Sequence, residues 1–112
     1  MTILRLKSRQ WIVDENDKII IGEGRSQILE TIEKTGSLNK TAKMMKMSYK
    51  AVWGKIRATE EHLGSKVVVA DRKLGTRLTE EGKRLLEKYR LFKKMCLQEE
   101  ERIFQAIFRE LN

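Results

Sequence analysis

The chain contains no proline, a single cysteine and a single histidine, and only 6% of its residues are aromatic. Without proline no helix is forced to break, and 36% charged beside 40% hydrophobic residues suit a soluble, mostly helical protein with ionised faces. One cysteine cannot close an internal disulfide, so a reducing cytoplasm is the expected compartment. No apolar run approaches the roughly 20 residues that span a membrane. The opening MTILRLKSRQ lacks the apolar core of a secretory signal, and neither a leader nor a membrane contact is expected. His62 has no cysteine or second histidine at ligand spacing and reads as a boundary residue, so no metal is expected. Gly22 and Gly24 do not form a GxGxxG motif, because Gln27 stands where the third glycine belongs. No Ser/His/Asp or Cys/His grouping has a reason to converge, and neither an enzyme nor a cofactor is expected.

What the chain has is positive charge, and its placement is informative. Of a formal net charge of +8, nearly all falls in residues 25–77, which hold twelve Lys or Arg against five Asp or Glu. A basic excess confined to one stretch is the electrostatic footprint of a polyanion binder, with an ordinary solvated face as the bland alternative.

The length of 112 residues is that of one domain with a small core, read here as a single unit over 1–112 without room for a separate ligand-sensing domain. ILRLKSRQWIV and KIIIGE, joined by the polar DENDK, predict an N-terminal hairpin over 3–22. RSQILETIEKTG predicts a helix ended by Gly36, and SLNKTAKMM a second, capped by Ser37. A third runs from Ser48 to about Leu63 and stops at Gly64, so that three helices fill 25–63. On this third helix Val52, Ile56, Thr59 and Leu63 share one side, Lys50, Gly54, Arg57 and Glu61 the other, and Tyr49 and Trp53 lie on the border. Residues 66–79 predict a hairpin with a basic tip at Arg72 and Lys73, and Thr79 caps a last helix over 80–111.

That last helix is too long to bury on so small a domain. Leu85, Leu86, Tyr89, Phe92, Cys96, Ile103, Phe104, Ile107, Phe108 and Leu111 form an apolar stripe interrupted by QEEER at 98–102, where the helix bends or its contact surface changes. A stripe of this kind marks a protein interface, and a homodimer through Phe92, Cys96, Ile103, Phe104, Ile107, Phe108 and Leu111 is the expected solution. Cys96 itself reads as a buried small hydrophobe, and Met44, Met45, Met47 and Met95 sit at core spacing.

The succession of second helix, short turn and third helix suits a helix-turn-helix, in which the second member of the pair enters the major groove. Ala42 and Ala51 suit the helix crossing, while Ser48, Tyr49, Lys50, Trp53 and Arg57 suit the groove. GSLNKTAKMMKMSYKAVWGKIRATEEHLG followed by LTEEGKRLLEKY resembles the winged helix-turn-helix domain of the ModE family of molybdate-responsive transcriptional regulators, relatives of LysR-type DNA-binding domains. Ser48, Tyr49, Lys50 and Trp53 carry the ModE-like signature, and the resemblance spans about residues 10–92. Three features depart from the family. The wing is only DRKLGTR, Lys46 stands in a turn that often carries glycine, and nothing corresponds to the C-terminal oxyanion-binding domains, so a stand-alone form is expected. The resemblance implies an α+β, mainly helical winged helix-turn-helix that binds double-stranded DNA and regulates transcription, with its effector unassigned.

On that reading Lys50 and Tyr49 reach base edges, and Trp53 packs on deoxyribose or a thymine methyl, or else against the wing. Gly54 permits close approach, and Arg57, Lys55, Lys43, Arg72, Lys73 and Arg77 contact phosphates. A nonspecific architectural DNA binder and a protein-interaction module built on a winged helix are the alternatives.

Overall fold

Ser37, Ser48 and Thr79 each accept a hydrogen bond on the side-chain oxygen from a backbone N–H three residues onward, and each opens a helix. In the computed structural model, which describes residues 2–111, the chain runs through strands β1 (Ile12–Val13) and β2 (Ile19–Ile21) and helices α1 (Glu23–Thr35), α2 (Leu38–Met45) and α3 (Tyr49–Leu63). Strands β3 (Val68–Asp71) and β4 (Gly75–Leu78) and helix α4 (Glu80–Phe108) follow, with a last short turn of helix at Arg109–Leu111. Gly36 and Gly64 end α1 and α3 in the left-handed conformation, as their positions predict.

One core serves all of these elements. Ile28, Leu29 and Ile32 of α1 meet Leu38 and Ala42 of α2 and Val52 and Ile56 of α3. Ile20, Ile21, Val67, Val68, Leu78, Leu86 and Tyr89 close it from the two hairpins and the start of α4. Both hairpins are antiparallel, and in the second Val68 faces Leu78 while Asp71 faces Gly75.

Several expectations need correction. The first hairpin is confined to Ile12–Ile21 rather than 3–22, because β2 has only three residues to offer a partner. The residues before it lie instead along α4. Ser8 and Gln10 bond the Glu100 carboxylate, and the Tyr89 hydroxyl donates to the Gln10 carbonyl at 2.7 Å. Ala51 is exposed and so lies outside the crossing of α2 and α3, where Ala42 and Val52 are both buried in the shared core. Leu63 is exposed at the end of its helix. Met44 and Met95 are exposed as well, and only Met45 and Met47 pack on the core. Cys96 is half-buried, because α4 has by then passed the apolar core, which ends at Tyr89. Finally, α4 starts at Glu80 as expected and is continuous through 98–102, but it ends at Phe108, and residues 109–111 wind more tightly.

A candidate nucleic-acid interface

The turn between α2 and α3 brings the two helices together at a fixed angle. Lys46 takes the left-handed conformation at φ 56° and ψ 43°, and its N–H reaches the carbonyl of Ala42. For a residue with a Cβ this costs about 1 kcal/mol, which the packing of Ala42 and Val52 and the bond from Met47 N–H to the same Ala42 carbonyl offset.

From that turn α3 presents two unlike sides. Val52, Ile56 and Thr59 are buried, whereas Ser48, Tyr49, Lys50, Gly54 and Arg57 are exposed. A Cβ built on Gly54 would meet nothing within 4 Å, so no neighbour in the chain requires glycine there. Trp53 is half-buried at the edge of the core, and the Arg57 guanidinium lies over its ring at 5.3 Å. Trp53 and Arg57, together with Glu60 and Glu61 of the same helix, also line a groove shared with Lys66, Val68, Val69 and Ala70, which places the polar side of α3 next to the wing. The wing alternative for Trp53 thus has a geometric basis.

Arg72 and Lys73 stand exposed at the wing tip, beside an exposed Leu74 that sequence reasoning did not single out. Asp71 shapes this tip by accepting from the backbone N–H of Lys73 at 2.7 Å and of Leu74 at 3.1 Å. The bond from Lys73, then that from Leu74 and the charge of Arg77, holds the Asp71 carboxyl below its usual range. Arg77 lies 3.9 Å from the same carboxylate, so part of its charge is answered within the wing.

The remaining expected phosphate-binding residues divide. Lys43 is exposed on α2, near the turn. Lys55 is exposed too, but it sits on the opposite flank of α3, in a shallow groove with Arg9, Trp11 and Arg25. That flank is fastened to the first hairpin. Arg25 donates to the Ile19 carbonyl and to Thr59 Oγ1, and Thr59 donates to the Ile20 carbonyl at 2.7 Å. Burial pulls the Arg25 pKa down from its usual value. His62 lies at the boundary, 3.5 Å from Asp14 of the hairpin turn, and among the described residues no group of three His, Cys, Asp or Glu could hold a metal.

Comparison with known proteins gives this arrangement its relatives. Residues 25–83 match the bacterial regulatory helix-turn-helix protein family of lysR type, over α1, α2, α3, the wing and the start of α4. The chain belongs to the lysR family. It is also 34% identical over 94 residues to the molybdenum transport protein ModE of Azotobacter vinelandii, a match covering 80% of the chain. The chain spans about a third of that relative's length, 34% of it. Among solved structures, the DNA complex of the CbnR DNA-binding domain superposes with a TM-score of 0.61 at 21% identity, covering 76% of this chain and 98% of that one. ArgP from Mycobacterium tuberculosis superposes with a TM-score of 0.52 at 26% identity, covering 75% of this chain and 30% of that one. These likenesses bear out the winged helix-turn-helix fold and the ModE-like character of the sequence.

One residue that bears on the interface escaped sequence reasoning. Glu60 Oε2 accepts from the backbone N–H of Val67 at 2.9 Å and of Val68 at 3.3 Å. Its partners are backbone groups of another element, and no residue pattern announces them.

Proposed function

We propose that this chain is a sequence-specific DNA-binding transcriptional regulator, a homodimer of the cytoplasm, and a binding protein rather than an enzyme. Helix α3 lies in the major groove and the wing lies on the adjacent backbone. The observation that carries this reading is the exposed row of Lys50, Gly54 and Arg57 beside a groove that leads to the basic wing. Lys50 and Tyr49 read base edges, and Trp53 packs against sugar or a thymine methyl at the border. Arg57, Lys43, Arg72, Lys73 and Arg77 contact phosphates, and Lys55 reaches the backbone from the other flank of the helix.

The test begins with duplexes recovered by sequencing the genomic DNA that the protein retains. Lys50→Ala should cost about 1–3 kcal/mol on the preferred duplex and much less on unrelated DNA, which flattens the preference at one or two base pairs. Arg72→Ala should weaken both about equally and lower the slope of log K against log salt by about one unit for each phosphate left without its cation. Equal affinity of the unaltered protein for preferred and scrambled duplexes would reduce it to an architectural binder. Retention of a protein partner with no DNA would overturn the reading.

Gly54 supplies an independent check on the geometry. Alanine at this exposed position meets no neighbour, so Gly54→Ala should raise stability by up to about 1 kcal/mol through helix propensity. The added methyl should obstruct the duplex, so affinity should fall while the melting temperature rises. A variant that melts higher and binds normally would place that turn of α3 away from DNA.

A further inference from the structure

We propose that Glu60 is a positioning residue that holds the wing at a fixed angle to α3, so that base reading and backbone contact occur in register. This inference rests on the DNA reading above. Glu60 leaves α3 one turn before its end, and Val67 and Val68 form the buried base of the wing. One carboxylate oxygen therefore joins the reading helix to the wing, through two charge-assisted hydrogen bonds. Among the described residues no other side-chain hydrogen bond joins α3 to the wing. Among the described residues the wing's other hydrogen bonds go elsewhere. The Val67 carbonyl accepts from Thr79 N–H at 3.0 Å, Thr79 Oγ1 donates to the Lys66 carbonyl at 2.6 Å, and Thr76 N–H donates to the Gly36 carbonyl at 2.9 Å. These tie the wing to the start of α4 and to the end of α1, and leave its angle to α3 to Glu60 and to non-directional apolar packing, in which Val67 and Val68 share a core with Val52 and Ile56 and Trp53 lies against it.

The consequence for DNA is a matter of register. Phosphates are spaced by the duplex, so Arg57 on α3 and Arg72 and Lys73 on the wing can be satisfied together only if the two elements keep a constant separation. A wing released from Glu60 keeps its charges but not their placement.

The effect of Arg72→Ala with Lys73→Ala is measured in the unaltered chain and in Glu60→Ala, over a salt series on the duplex recovered from genomic DNA. In the unaltered chain the wing pair should lower the slope of log K against log salt by about two units per subunit. In Glu60→Ala the slope should already be lowered, and removing the wing cations should change it little, so the two effects are not additive. The base preference set by Lys50 should persist, and Glu60→Gln, which keeps an oxygen acceptor at the same reach, should restore most of the slope. Should Glu60→Ala fail to fold, Glu60→Asp, whose carboxylate is one methylene short of the two amides, takes its place in the same comparison. Wing substitutions that cost the same slope in both backgrounds would overturn the proposal and leave Glu60 an ordinary structural residue. Wing substitutions without effect in the unaltered chain would overturn the wing's part in the DNA reading, and the proposal with it.

Discussion

Ile103→Glu combined with Ile107→Glu is expected to convert the proposed homodimer to a monomer and to weaken binding to a duplex with two half-sites by roughly 10²–10⁴-fold. The apolar core's hold on α4 ends at Tyr89, and beyond it only polar contacts, from Arg90 and Lys93 to α1 and from Glu100 to Ser8 and Gln10, are seen among the described residues. Gly82, Leu86 and Tyr89 are the buried residues of the helix, and its 29 residues extend about 43 Å at 1.5 Å per residue. Beyond Tyr89 the stripe stands in the open, with Phe92 at 44%, Ile103 at 45% and Ile107 at 66% exposure. Phe104 and Phe108 stack with ring centroids 5.3 Å apart, which widens the apolar surface toward the C-terminal end. A two-fold axis would bring each substituted carboxylate against an apolar surface and near its own copy, where desolvation and like charge both oppose association. Because both isoleucines are exposed, the fold and the affinity for a single half-site should be unchanged. Sedimentation equilibrium reads the oligomeric state directly. A variant that remains dimeric would move the interface to the first hairpin or to α1.

The parts of this molecule that could be read in advance are those whose causes are local. Ser37, Ser48 and Thr79 begin helices because a side-chain oxygen reaches a backbone N–H three residues away, an event contained in four residues. Gly36 and Gly64 end helices for an equally local reason, and Lys46 holds the turn where a glycine often stands. Buried positions of α3 followed from periodicity alone, since Val52, Ile56 and Thr59 recur at the helical repeat. The misreadings arose where a distant element decides. ILRLKSRQ alternates as a strand does, yet β2 has no length left to pair with it, and Glu100 and Tyr89 of α4 take its polar groups instead. Ala51 is small enough for a helix crossing but faces away from it, and Met44 and Met95 have core character on surfaces that nothing in the chain covers.

Of the candidate interface, the shared placement of Lys50, Tyr49, Trp53, Gly54 and Arg57 on one side of α3 or its border was legible because one helix carries them. That Lys55 stands apart from them, on the flank of α3 that faces the first hairpin, had no sign in the sequence. Glu60 was invisible for a related reason. A carboxylate whose partners are amides seven and eight residues ahead looks, in sequence, like any solvated glutamate of a helix.

Gly82→Ala should destabilise the fold by about 2 kcal/mol or more, since forcing atoms into a filled site costs about 1–3 kcal/mol and occasionally more. The same substitution at Gly54 is expected to stabilise, and the difference lies in what surrounds each glycine. A Cβ on Gly82 would stand 2.2 Å from the Val67 carbonyl oxygen and 3.2 Å from its Cα, and backbone cannot swing aside as a flexible side chain can. Relief requires α4 to retreat from the wing. That movement strains the bonds from Thr79 N–H to Val67 and from Thr79 Oγ1 to the Lys66 carbonyl, together with the cap that Thr79 provides to Gly82 N–H. The gain of up to about 1 kcal/mol in helix propensity is outweighed. At about 4–8 °C per kcal/mol for a domain of this size, the melting temperature should fall by roughly 10 °C. DNA binding should weaken along with it, because the base of the wing and the start of α4 meet at this point. A Gly82→Ala protein that melts like the unaltered chain would mean that α4 does not press on Val67. The direction in which the helix leaves the domain, and with it the placement of the dimer stripe relative to α3, would then have to be drawn differently.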